Sequence, residues 1–266
     1  MASNIEAYAE LCNITFGYLK SMALDCAIKL GIPKAIHLCG GGASLADILA
    51  TVPMPESRRP YLPRLMRFLA ASGIFSVDLD VAAAGEEGIY RLTPVSRLLV
   101  DDDSSLAPFV LTHTGKHLAG AALHLPDWFE SDDPAAETPF RMAHGADLWG
   151  IMGCGDDAEM MNRLFNAGMA SYSRFMMDFV VCERDVFEGL SSLVDVGGGT
   201  GTVARTIAGA FPHVKCSVLD LPNVIESIPA DADGAVDYIA GDMMKSVPSA
   251  DAVLLKARNL LHRFIS

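Results

Sequence analysis

The run Leu-Val-Asp-Val-Gly-Gly-Gly-Thr-Gly at residues 193–201 limits what this chain can fold into more than any other stretch. A short apolar strand leads straight into glycines, and a helical pattern follows over 202–210. Without side chains at Gly197, Gly199 and Gly201, the backbone can turn tightly and bring a bound group close to main-chain N–H groups at a helix start. From there on, short apolar runs at 193–196, 215–219, 238–240 and 252–255 alternate with helical stretches and end in acids or glycines. That alternation predicts a parallel α/β sheet. Asp220 ends the second strand, 19 residues past Gly201. A carboxylate there can accept both hydroxyls of a ribose, which puts a nucleoside at the carboxyl edge of the sheet.

Two cofactors compete for such an edge. Gly199-x-Gly201-x-x-Ala204 is a variant of the nicotinamide fingerprint, which keeps an NAD-dependent dehydrogenase in view. The wider constellation favours S-adenosylmethionine. Asp195 lies inside the first strand, Asp220 ends the second, Gly241-Asp242-Met243 follows the third and Lys256 follows the fourth. Acids at successive strand ends suit an amino acid, a sulfonium cation and an adenosine, with no pyrophosphate to seat at a helix N-terminus. An α/β domain with a tight turn and no ligand is the third alternative.

The N-terminal half reads differently. Apolar residues recur at helical spacing over 5–38, with Phe16, Leu19, Met22, Ala23 and Cys26 on one face, until Gly31-Ile32-Pro33 interrupts the run. Ser44 caps a short helix, residues 60–72 form another, and 73–77 with 88–93 make two strands joined by a polar loop. Helix, helix and two strands is winged-helix order. Arg58, Arg59, Arg64 and Arg67 are offset by Asp47, Glu56, Glu86 and Glu87, so a dimerisation scaffold is expected rather than a DNA reader. The expected division is 1–105 for this domain, 106–190 for a helical connector and substrate-pocket region, and 191–266 for the α/β part.

Composition narrows partners and compartment. Thirty-three acids against 20 Lys plus Arg leave a formal −13, with no basic stripe for nucleic acid or anionic membrane. Mean hydropathy is +0.29, yet no apolar run reaches the ~18 residues of a membrane span, so the excess points to a core or a subunit interface. Six scattered cysteines without a CxxC pair read as reduced thiols. The N-terminus lacks a basic stretch followed by an apolar one, and a cytoplasmic protein is expected. No metal is expected: His113 and His117 sit one helical turn apart around Thr-Gly-Lys, not around the Glu of a zincin motif. Nothing suggests a Ser or Cys nucleophile with its triad partners.

Taken together, 193–201, 211–224 (FPHVKCSVLDLPNV), Gly241-Asp242-Met243 and 250–256 (ADAVLLK) resemble the plant small-molecule O-methyltransferase family, which includes the caffeic acid and flavonoid enzymes. Residues 15–24 (TFGYLKSMAL), 92–96 (LTPVS), Ala143-His144-Gly145 and 164–169 (LFNAGM) match the family pattern too. The resemblance implies a class I Rossmann-like sheet behind a winged-helix dimerisation domain, S-adenosylmethionine as cofactor, a phenolic acceptor and a homodimer. It implies that Gly197, Gly199, Asp220, Asp242, Met243 and Lys256 bind the cofactor, and that Phe165, Asn166 and Met169 line the acceptor pocket. For Met169 alone an ordinary core role competes, and for His144 a structural one.

A phenol has a pKa near 10, so transfer at neutral pH calls for a general base. The family places a histidine in a Leu-Lys-Trp-x-x-His-Asp-Trp stretch after the fourth strand. Here 255–266 reads LKARNLLHRFIS: ungapped counting puts Leu260 at the base position and His262 two residues late, without the supporting carboxylates. Catalysis is therefore expected to be crippled and no base is assigned, His262 being a poor substitute. The motifs locate four of the family's seven strands, and at about 30 residues per βα unit the rest amounts to roughly ninety residues. Ala252-Val253-Leu254-Leu255 is then expected as an uncovered apolar edge. A non-catalytic dimerisation partner of a relative is the alternative role.

Overall fold

In a computed structural model, the structure describes residues 2–79, 88–100, 104–153, 158–228 and 234–256. The chain divides into two compact units, Met1–Gly115 and Lys116–Ser266.

The first unit is mainly helical. The N-terminal apolar run breaks into three helices: α1 (Ala2–Thr15), α2 (Gly17–Lys29) and α3 (Ile32–Leu38). The break before α3 falls on Gly31, whose φ of 75° is the left-handed region that glycine enters without strain, and Pro33 fits the first turn that follows. Ser44 caps α4 (Leu45–Thr51): its hydroxyl accepts from the Asp47 N–H, and the Asp47 carboxylate accepts from the Ser44 N–H at 2.9 Å. A 3-10 turn at Glu56–Tyr61 leads into α5 (Leu62–Ala71), which buries Leu62, Met66 and Leu69 at helical spacing.

Strands β2 (Phe75–Asp78) and β3 (Ile89–Leu92) pair antiparallel, as expected for two strands joined by a polar loop. The two-residue β1 (Gly42–Ala43) adds to the other side of β3. The short α6 (Pro94–Arg97), capped by Thr93, and α7 (Ala107–Thr114) complete the unit. Ile32, Ile36, Ile48, Met66, Phe75 and Tyr90 form its core. The face that carries Phe16, Leu19 and Met22 does not join that core. Phe16 is 53% exposed, and Ile5, Tyr8, Leu11 and Ile14 on α1 are exposed with it, Ile14 at 70%.

The second unit begins with α8 (Lys116–Leu123), α9 (Leu125–Glu130), α10 (Pro139–His144) and α11 (Leu148–Gly153), followed by the long α12 (Ala158–Val180). Gly115, extended at ψ 154°, separates α7 from α8. His113 and His117 therefore lie on different helices, which corrects the expectation of one shared helical turn. Then come β4 (Ser192–Val196), α13 (Thr202–Ala210), β5 (Lys215–Asp220), α14 (Pro222–Glu226), β6 (Asp237–Ala240) and β7 (Ala252–Leu254).

These four strands form a parallel sheet in the order β6-β5-β4-β7. The chain moves outward from β4 through β5 to β6, then returns to the other side of β4. Such a reversal makes the carboxyl end of β4 a switch point, where open α/β sheets bind ligands. The registers place Leu254, Asp195, Val218 and Tyr238 in one row across the sheet. Met177, Phe187, Leu193, Val203, Ile207 and Val218 form the core between α13, α12 and the sheet. Among the described residues β7 is an edge strand, with Val253 57% exposed.

Candidate active site

The turn between β4 and α13 is built by its glycines. Gly197, Gly199 and Gly201 have φ of 69°, 60° and 81°. Gly198 has ordinary φ but no room: a Cβ there would lie 2.7 Å from the Asp195 Cγ and Oδ2 and 3.0 Å from the Val218 Cγ1. The turn is held by Gly197 N–H donating to the Leu219 carbonyl at 2.8 Å and by Gly201 N–H donating to the Gly198 carbonyl at 3.0 Å.

Asp220, at the end of β5, faces this turn. Its Oδ2 accepts from the Gly199 N–H at 2.7 Å and its Oδ1 from the Leu221 N–H at 2.7 Å. A carboxylate pinned by two main-chain donors keeps one orientation and still has lone pairs for hydroxyl donors. Asp242 follows β6, accepting from the Met244 N–H at 2.9 Å and lying 3.7 Å from the Lys245 Nζ. Its neighbour Met243 is 47% exposed.

Asp195 is the buried charge of the site, at 2% exposure. Burial pushes its pKa up to about 6, against the pull of Lys256 and with a further push from Asp220. Its Oδ2 has no hydrogen-bond partner among the described residues. Lys256 follows β7, and desolvation lowers the pKa of its ammonium while Asp195 raises it. The Nζ donates to the Ser173 Oγ and lies 5.7 Å from the centre of the Tyr172 ring. Ser173 in turn donates to the Met169 carbonyl at 2.6 Å. The structure thus ties Lys256 to α12, a contact across 83 residues that local sequence patterns do not encode.

The expected acceptor residues also lie on α12, but not on one face. Phe165 is buried in a helical core with Phe140, Leu148 and Met161, and its ring meets Trp149 edge-on at 5.8 Å. Met169, one turn later, packs against the same core, whereas Asn166 is exposed. His144 has a structural setting: its Nε2 donates to the His117 carbonyl at 3.0 Å and its ring lies 4.5 Å from Phe140. His262 and Leu260 lie outside the described residues.

Among the described residues no three His, Cys, Asp or Glu side chains cluster closely enough to hold a metal, and no helix is long and apolar enough to cross a membrane. A hollow of about 590 Å³ on the first unit, lined by Arg67, Phe75, Val77 and Tyr90 among others, contains none of the expected cofactor or acceptor residues.

The donor set discriminates between the two cofactors. A pyrophosphate needs free N–H groups at the turn, but Gly199 N–H is taken by Asp220, and two carboxylates would repel a dianion there. S-adenosylmethionine has no pyrophosphate to seat at the turn, and its ribose hydroxyls are donors of the kind a carboxylate such as Asp220 can accept.

Comparison with known proteins agrees. The model of the O-methyltransferase domain matches residues 123–264, and that of the O-methyltransferase dimerisation domain matches 12–102. A flavonoid O-methyltransferase-like protein of Oryza sativa subsp. japonica is 42% identical over 264 residues, covering 95% of this chain and 69% of that protein. Trans-resveratrol di-O-methyltransferase of Vitis vinifera is 42% identical over 257 residues, covering 96% of this chain and 70% of its own. In fold, human N-acetylserotonin methyltransferase, solved in complex with S-adenosylmethionine, aligns with a TM-score of 0.74 at 19% identity, over 93% of this chain and 69% of that one. With the switch-point turn, the carboxylates around it and these matches in view, the chain belongs to the S-adenosylmethionine-dependent O-methyltransferase family.

Proposed function

We propose that this chain binds S-adenosylmethionine at the carboxyl edge of its sheet through Gly197, Gly199, Asp220, Asp242, Met243 and Lys256, and that its acceptor is the phenolic hydroxyl of a small plant metabolite. The observation that carries the reading is Asp220, locked across the glycine turn by the Gly199 N–H. There it accepts ribose hydroxyls, while Asp242 and Met243 flank the adenine and Gly197 lets the backbone come close. The bound cofactor supplies an electrophilic methyl group on a sulfonium. Lys256, anchored to Ser173 on α12, joins this edge to the helix that carries Phe165, Asn166 and Met169. Ring and thioether contacts from Phe165 and Met169 suit a flat aromatic acceptor. The acceptor class rests on relatives such as the resveratrol enzyme.

The proton of the acceptor is the weak point. Leu260 occupies the position where the family pattern has its histidine, and a hydrocarbon side chain takes no proton. A positioned base contributes roughly 10²–10⁴-fold, so turnover by this chain is slow. We place the protein in the cytoplasm as a homodimer, joined through the exposed apolar faces of α1 and α2. That surface also supports a second reading, in which the chain acts chiefly as the dimerisation partner of an active relative. Transfer of a labelled methyl group to a panel of phenols tests the first reading: slow but acceptor-dependent labelling is expected, and fast turnover refutes the missing base. Co-purification with a co-expressed relative, without labelling of any phenol, would favour the second.

A further inference from the structure

We infer that Tyr238 is a positioning residue for the cofactor turn, acting from two strands away; the inference rests on the cofactor reading above. Neighbouring strands lie about 4.8 Å apart, so the backbone of β6 is roughly 10 Å from that of β4. A tyrosine is long enough to cover that gap. The registers put Asp195, Val218 and Tyr238 in one row, and in a parallel sheet residues opposite one another project to the same face.

Each member of the row touches the turn or the start of α13. Asp195 and Val218 close off the space at Gly198. At the other end of the row, the Tyr238 hydroxyl donates to the Thr200 carbonyl at 3.1 Å and accepts from the Arg205 Nη1 on α13. A Cβ at Gly201 would lie 2.8 Å from that same hydroxyl. Three independent contacts therefore converge on one oxygen: a carbonyl of the turn, a guanidinium of the helix behind it, and a glycine that leaves it room.

Holding the Thr200 carbonyl fixes the plane of the Thr200–Gly201 peptide. It also fixes the Gly201 N–H, which closes the turn onto the Gly198 carbonyl. Asp220 holds the turn from the mouth through Gly199, and Tyr238 holds it from beneath. Tyr238 touches no reacting atom. It acts by keeping the backbone in the shape the cofactor needs, so the ligand spends less of its binding free energy on ordering the turn.

The test is Tyr238→Phe, which keeps the ring packed and removes the hydroxyl. S-adenosylhomocysteine affinity is read by calorimetry, amide exchange at 199–202 is read in the ligand-free protein, and the urea midpoint reports global stability. The expected result is roughly threefold to tenfold weaker binding, with faster exchange at the turn and a midpoint lowered by no more than the loss of one neutral hydrogen bond accounts for. Where Tyr238→Phe folds poorly, Arg205→Met loosens the same oxygen from the helix side and is expected to accelerate the same amides. Unchanged affinity and unchanged exchange would overturn the assignment, as would a loss confined to the midpoint. Failure of the wild-type chain to bind S-adenosylhomocysteine, with exchange still accelerated in the variant, would overturn the cofactor reading and leave the clamp standing.

Discussion

Asp195→Asn isolates a carboxylate that the fold holds at a disadvantage. An ordinary aspartate titrates near 3.8, and burial lifts this one to about 6. At about 1.4 kcal/mol per pH unit, the difference is worth about 3 kcal/mol. The sign follows from linkage. A carboxyl whose folded pKa is raised adds stability below its unfolded pKa, and that stability is lost as pH rises through the folded value. Wild-type protein should therefore lose stability as the solution moves from pH 4 toward pH 7, with about 2 kcal/mol of the loss between about pH 4.5 and 7.5. The amide of the variant does not titrate. Subtracting the two urea-unfolding profiles cancels the groups that do not interact with Asp195, and the wild-type minus variant difference should become less favourable by that amount. A difference that stays flat, or that grows in favour of wild type as pH rises, would refute the claim that Asp195 is buried at a cost.

Three other predictions test separate parts of the account. Gly198→Ala drives a Cβ against Asp195 and Val218 and should destabilise by about 1–3 kcal/mol in chemical denaturation, the range for overpacking, with S-adenosylhomocysteine binding weakened in parallel. Asp251 accepts from the Ser191 and Ser192 N–H groups at 2.9 and 3.0 Å, pinning the start of β7 to β4, and these bonds lower its pKa. Its contribution is present above the ordinary aspartate range and lost as pH falls through its own lower value, so the gap in urea midpoint between wild type and Asp251→Ala should close on acidification. Ile14→Asp, on the exposed face of α1, should shift a dimer toward monomer in sedimentation while leaving the circular dichroism of the chain unchanged.

The sheet was the most legible part of the molecule. Parallel strands buried on both faces are short apolar runs, and the runs at 193–196, 215–219 and 238–240 match β4, β5 and β6 to within a residue at each end. The helix at 202–210 falls where the pattern puts it, because the glycine turn sets its start. The strand β1 left no trace in the sequence: Gly42-Ala43 has no strand character and is recruited only by pairing with β3. The outward turn of Phe16, Leu19 and Met22 was equally hidden, since periodicity gives a face but not what covers it.

At the site, local pattern identified the residues that end strands, Asp220 and Lys256 among them, but not what holds them. Ser173 and Tyr238 are remote in sequence from their partners Lys256 and Thr200, and register and helix packing alone bring them together. The pocket residues came from the family resemblance, not from local pattern: along α12 the helical repeat buries Phe165 and exposes its neighbour Asn166.

The central claim, an S-adenosylmethionine site built around Asp220 and the glycine turn, is tested most directly by calorimetric titration of the whole chain with S-adenosylhomocysteine and, separately, with NAD. The account predicts saturable binding of S-adenosylhomocysteine, lost in Asp220→Ala, and no heat of binding with NAD. Binding of NAD with none of S-adenosylhomocysteine would contradict it.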